Sequence, residues 1–150
     1  MKLNKVGIII LLLALTLSSV SALIASMGNA RMILRPEIIP GDTIELDQTI
    51  LVQNVNPIKV KINVEPDETF LQYVEVIDSV FELEANESRD ARFIIKIPEP
   101  GRYEGKMLVS FSAASQSDIF NETPVGLASN IIIITQNVSE YSIKEELNTT

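Results

Sequence analysis

The stretch "PEPGRYEGKMLVSF", residues 98–111, decides the fold. Pro100 and Gly101 make a turn, and the residues after it alternate with a period of two. Tyr103, Gly105, Met107, Val109 and Phe111 share one face; Glu104, Lys106, Leu108 and Ser110 share the other. That is the pattern of a strand with one buried and one wet side. A tyrosine opening a strand after such a turn is a corner device: its ring packs on the core edge and its hydroxyl bonds nearby backbone. Gly101 supplies the turn, by a positive φ, and Gly105 lets a ring or another segment approach closely. Gly101, Tyr103 and Gly105 therefore read as a structural corner rather than as chemistry.

The same alternation runs outward from this stretch. "PIKVKINVEP" (57–66) sets Ile58, Val60, Ile62 and Val64 against Lys59, Lys61, Asn63 and Glu65, and "SRDARFIIKIPEP" (88–100) places Ala91, Phe93, Ile95 and Ile97 inward. "ARMILRPEII", "TIELDQTILVQNV", "LQYVEVID", "VFELEA" and "LASNIIIITQ" supply weaker strands, separated by Pro-Gly-Asp, Asn-Pro and Pro-Asp turns. Strands at this spacing predict an all-β fold, a single immunoglobulin-like antiparallel β-sandwich of about seven strands. The run "NIIIIT", Asn130–Thr135, reads as a buried core strand; the alternative is a strand that pairs in trans and makes a homo-oligomer. Ser112–Gly126 reads as a long polar loop with an apolar bump at Ile119-Phe120.

The N-terminus is an address. Lys2 and Lys5 precede a run from Val6 to Met27 without a charge, and "VSA" (20–22) has the small-x-small form of a cleavage site. The reading is an N-terminal hydrophobic helix, either a cleaved signal peptide or an anchor that spans the bilayer through Val6–Met27. The expected organisation is residues 1–29 leader or anchor, 30–136 sandwich and 137–150 a polar acidic tail. Both readings give an extracytoplasmic protein, secreted or held on the outer face of the cytoplasmic membrane. Sequons at Asn86, Asn121, Asn137 and Asn148 agree with export, since chance gives roughly one or two in a chain like this. They are its candidate glycosylation sites.

Composition narrows the chemistry. The formal charge of −8 disfavours nucleic acid. No cysteine and no histidine are present, which removes thiol chemistry, the commonest general base and the usual zinc and copper ligands. Without Trp, stacking platforms are poorly supplied. The acidic loops at Glu65, Asp67, Glu68 and at Glu82, Glu84, Glu87 offer oxygens to calcium but lack a D-x-D-x-D-G spacing, and they read as solvated surface. No Gly-x-Ser-x-Gly or Ser-x-x-Lys elbow occurs. The expectation is a non-enzymatic chain with no catalytic residue, no metal and no cofactor.

Four motifs carry a family resemblance: "GDTI" (41–44), "VQNVN" (52–56), "FELEANES" (81–88) and "PGRYEG" (100–105). They resemble the immunoglobulin-like accessory domains of prokaryotic, especially archaeal, cell-surface proteins, of the NPCBM-associated and CARDB-like type. The resemblance covers residues 31–136 and implies a module that acts by protein–protein contact with envelope or surface proteins. The alternatives are a membrane-anchored subunit of a surface appendage or envelope assembly, such as a pilus or archaellum stator, and a carbohydrate-binding module.

Overall fold

The structure, a computed structural model, describes residues 22–115 and 123–137. Eleven strands are present among them: β1 Ala25–Met27, β2 Arg31–Leu34, β3 Glu37–Ile38, β4 Ile44–Asn54, β5 Val60–Pro66, β6 Val74–Val76, β7 Val80–Leu83, β8 Ser88–Ile97, β9 Arg102–Ala113, β10 Val125–Ile134 and β11 Gln136–Asn137. They form a four-stranded sheet, β1-β4-β8-β6, facing a five-stranded sheet, β2-β10-β9-β5-β7, with a two-residue β11-β3 ribbon at the side. The sandwich is immunoglobulin-like, and its long strands are those the alternation marks.

Period two fixes what each strand buries. Val60, Ile62 and Val64 of β5, Met107, Val109 and Phe111 of β9, and Ile131 and Ile133 of β10 meet Ile50, Val52, Ala91, Phe93, Ile95 and Ile97 from the facing sheet. Phe70, Phe93 and Phe111 are the largest side chains fully enclosed. Removing any one to Ala would cost about 3–5 kcal/mol, transfer and cavity together.

Nearly every connection up to β9 crosses between the sheets, and two of these crossings are not announced by the sequence. At the N-terminus β1 pairs antiparallel with β4, Ala25 opposite Asn54 and Met27 opposite Val52. The chain then turns through Gly28 and Asn29, whose φ is 53°, and β2 joins β10 of the other sheet. This pairing is parallel, as is β11 with β3, so the sandwich is mixed rather than wholly antiparallel. Leu23 is buried and β1 is a strand, so residues 23–27, which hydropathy alone gives to the leader, belong to the sandwich. The expected N-terminal helix otherwise falls on residues 1–21, outside those described, as does most of the polar tail.

The other unannounced crossing follows β5. The Asp67 N–H donates to the Lys106 carbonyl, prolonging the strand by one residue. The Asp67 carboxylate then accepts from Thr69 Oγ1 (2.8 Å) and from the Phe70 N–H (3.0 Å), which closes a turn. So "LQYVEVID", expected as one strand, is turn as far as Tyr73 and strand only over β6. Phe70 is driven inward beneath Gly105, where an added Cβ would stand 2.4 Å from its ring.

At the corner, Tyr103 Oη donates to the Glu99 carbonyl at 2.8 Å, and its ring meets Tyr73 edge-on at 5.1 Å. Burial, followed by the neighbouring Tyr73 and Glu99, holds the phenol above its ordinary pKa. Gly101 does not take a positive φ; among the described glycines only Gly41, at 96°, does. Gly101 instead lies under the Tyr103 ring, its N–H donating to Thr135 Oγ1 and its carbonyl accepting the Thr135 N–H.

Candidate protein-contact face

The segment Asn130–Ile133 is paired on both edges inside the chain, with β9 and with β2. Those backbone groups are therefore not open to strand pairing in trans, because the N-terminal segment already satisfies them. Its side chains are another matter. Ile131 and Ile133 fill the core, while Ile132 and Ile134 point out of the five-stranded sheet and stay half-buried. Ile33 of β2 stands beside Ile132 in register and is 50% exposed. Three isoleucines thus make a strip on the outer face of this sheet.

Two residues along, on the same face, the register lays a polar row across the strands. Arg31 of β2 lies opposite Asn130 of β10, Asn130 opposite Lys106 of β9, and Asp67 continues the row past the end of β5. With strands about 4.8 Å apart, the backbones of Arg31 and Lys106 stand about 10 Å from each other. The row and Ile132 of the strip border an open depression of about 410 Å3, whose lining includes Arg31, Asp67, Glu104, Lys106, Asn130 and Ile132.

The charges divide unevenly between the sheets. On the four-stranded sheet each cation has a carboxylate. Arg92 grips Asp47 with Nε and Nη2 (2.9 and 2.5 Å), Lys96 reaches Glu75 (2.8 Å) and Glu45 (3.6 Å), and Arg89 reaches Asp78 (2.6 Å). The hydrogen bonds from Arg92 and Lys96 hold the Asp47 and Glu75 carboxyls below their usual range. Among the described residues four cations have no carboxylate within 4 Å: Arg31, Arg35, Lys61 and Lys106. All four lie on the five-stranded sheet or directly after one of its strands.

The residues singled out from the sequence fall elsewhere. Asn86 is exposed at the tip of the β7–β8 turn with φ of 61°, a conformation Asn tolerates better than most residues. Asn137 closes β11; Asn121 and Asn148 lie outside the described residues. Asp67 spends its carboxylate on its own turn, Glu87 Oε2 accepts the Glu84 N–H, and Glu82 and Glu84 pair with Lys59. Among the described residues no group of three His, Cys, Asp or Glu side chains is placed to hold a metal ion.

The sequence reading missed the face. The available signal was parity: in "NIIIIT" four consecutive isoleucines must put two on the outside of the sheet, whichever two are buried. It also missed the work of "VQNVN". Asn54 and Asn56 lie at inward positions and are buried. Asn54 Nδ2 donates to the carbonyls of Ile58 (2.7 Å), Leu83 (3.2 Å) and Glu84 (2.8 Å), and its Oδ1 accepts from the Asn56 N–H and Nδ2 (3.0 Å each). Asn56 then takes the Ile24 N–H on Oδ1 and gives Nδ2 to the Ile24 carbonyl, both at 2.8 Å. Two amides tie the chain entry, the β4–β5 turn and the end of β7 together with no buried polar atom of theirs left over.

No protein-family model and no curated protein matches the sequence. Solved structures do. The ASH / PapD-like domain 7 of human CEP192 aligns with a TM-score of 0.59 at 14% identity, over 77% of this chain and 87% of that one. The E. coli chaperone DraB aligns at 0.57 and 12% identity, over 77% of this chain and 57% of the chaperone. A chain of the CsuC–CsuE chaperone–tip adhesion subunit pre-assembly complex of Acinetobacter baumannii aligns at 0.52 and 10% identity, over 85% of this chain and 66% of that one. This chain thus spans little more than half of DraB. At such identities the likeness establishes the fold: a PapD-like variant of the immunoglobulin-like sandwich.

Proposed function

We propose that the chain is an exported, non-enzymatic module that works by protein–protein contact through the outer face of its five-stranded sheet. The observation that carries the proposal is the strip Ile33–Ile132–Ile134 beside Arg31 and Lys106. An apolar centre with a polar, chargeable rim is the anatomy of a contact surface. Unpaired cations on the rim of an acidic chain steer and orient a partner more than they add affinity. Likeness in fold supports the reading: one of the similar structures is a complex of a chaperone with a tip adhesion subunit. The leader and sequons support export, to the medium or to the outer face of the membrane. Within that class, the four turn-and-core motifs support an accessory domain of a prokaryotic surface protein, of the NPCBM-associated or CARDB-like kind, and its partners are then other envelope proteins.

The test uses Ile33→Asp and Ile132→Asp, with Thr49→Asp on the outer face of the four-stranded sheet as control. Protein recovered from the native host is compared for the partners that come with it. The proposal expects both isoleucine variants to fold and to lose a partner that the wild type and Thr49→Asp retain. Retention of every partner by both isoleucine variants contradicts it.

A further inference from the structure

We infer that the outer face of the five-stranded sheet takes an extended segment of another protein, one in which a carboxylate is followed at alternate positions by apolar side chains; the inference rests on the contact reading and names the chemistry of the partner. The charges left over on this face carry it. Four of the residues that line the depression are charged, and two of these are engaged. The Asp67 carboxylate accepts from Thr69 Oγ1 and from the Phe70 N–H, and Glu104 is paired with Arg102. The other two, Arg31 and Lys106, are exposed and have no carboxylate within 4 Å among the described residues. Between them in register stands exposed Asn130, whose amide donates as well as accepts. A carboxylate suits such a row. Its hydrogen bonds to Arg and Lys are about twice as strong as neutral ones, and the planar guanidinium fork matches its geometry.

The isoleucines decide what carries the carboxylate. Ile33 and Ile132 stand two residues along from Arg31 and Asn130 on the same face, and Ile134 stands two further along β10. At about 3.4 Å per residue, the three levels are about 6.8 Å apart. A small inorganic anion answers the cations and leaves the isoleucines in water. A molecule that answers both presents an acid and two apolar groups at that repeat. Alternate side chains of an extended chain do so, because they share the rise of the strands beneath. A helix repeats with each turn of about 5.4 Å, so at the third level it is about 3 Å out of step. The matching run is Asp or Glu, any residue, an aliphatic residue, any residue, an aliphatic residue. Both edges of Asn130–Ile133 are paired inside the chain, so the segment lies on the face and is held by side chains.

The rest of the chain narrows the partner further. With a formal charge of −8 it repels a strongly acidic protein at long range. The partner is therefore acidic at this segment and neutral or basic elsewhere.

The experiment uses the full chain with a photo-crosslinking residue at position 132, made in its native host, and maps by mass spectrometry where the crosslink falls on the captured protein. It is expected inside or beside an acid–x–apolar–x–apolar run. The captured protein is then made with the acid of that run changed to Lys. Its binding to the wild-type chain should fall about tenfold, and its binding to a chain carrying Arg31→Glu and Lys106→Glu should exceed that of the unchanged partner about tenfold. A captured segment without an acid, apolar residues at helical rather than alternate spacing, or a charge exchange that restores nothing overturns the inference while the contact reading stands. Capture of a second copy of this chain does the same. No capture from position 132 overturns both.

Discussion

The outer faces of the two sheets are built from the same alternation and end up opposite in character. On the four-stranded sheet the outward positions of β4, β8 and β6 carry Glu45, Asp47, Arg92, Lys96 and Glu75, and these neutralise one another across the strands. Its outward apolar residues, Leu51 and Ile94, are flanked by charge, Leu51 opposite Asp90 and Ile94 opposite Asp47. On the five-stranded sheet Ile132 and Ile134 also stand opposite charge, the paired Glu104 and Arg102, and Lys59 is paired with Glu82 and Glu84; but Ile33 and Ile132 are adjacent, and Arg31, Lys61 and Lys106 have no carboxylate within 4 Å. A saturated face has little electrostatic energy to gain from a partner and must break its pairs to gain any. An unsaturated face with an apolar centre gains on both counts. The difference teaches where to look for function in a chain that has no histidine or cysteine.

The largest expected effect comes from beneath the contact face. Gly105→Ala would put a methyl 2.4 Å from the Phe70 ring. It should destabilise the sandwich by about 3 kcal/mol, seen as a lower denaturant midpoint with an unchanged slope. Gly101→Ala, whose methyl would meet the Tyr103 ring at 3.5 Å, should change little, which separates the two glycines of the corner. Next comes Asn54→Ala. It strips the Ile58, Leu83 and Glu84 carbonyls of a donor and should cost about 2 kcal/mol, although it removes no apolar contact.

The third effect is on binding alone. Lys106→Glu together with Arg31→Glu should weaken partner association about tenfold, or about 1.4 kcal/mol, with an unchanged denaturation curve. Association by the wild type should fall with added salt, because exposed charges are screened beyond about 8 Å at physiological ionic strength. The smallest effect belongs to the other sheet. Asp47→Asn should leave binding untouched and stability nearly so at neutral pH. Its sign is fixed by pH: a carboxyl held low in the fold contributes stability above its unfolded value and loses it as pH falls through the folded one. Wild type and Asp47→Asn should therefore converge in acid, and denaturation midpoints from pH 7 to pH 2 would show it.

Much of this molecule was legible. β4, β5, β8, β9 and β10 follow from alternation, because each has one wet face and the period of a strand is fixed. Two of the sheet crossings were not. Gly28-Asn29 and Asp67–Phe70 look like ordinary turns, and which sheet the next strand joins depends on edges far away in sequence. The parallel match of β2 with β10 was hidden for the same reason, and with it the closing of Asn130–Ile133 to strand exchange. Asn54 and Asn56 were readable as polar residues at inward parity, but their partners were not, since Ile24 lies 32 residues from Asn56. The contact face was half legible: the outward isoleucines of β10 follow from parity, whereas Arg31 and Lys106 become one row only through register across three strands.

The most direct test of the account places a photo-crosslinking residue at position 132, and in a separate chain at position 49, in protein made in the native host. The two sites are both on outer faces, one on each sheet. The account predicts that position 132 captures a defined envelope protein and that position 49 captures none. Equal capture from both positions, or capture from 49 alone, would contradict it.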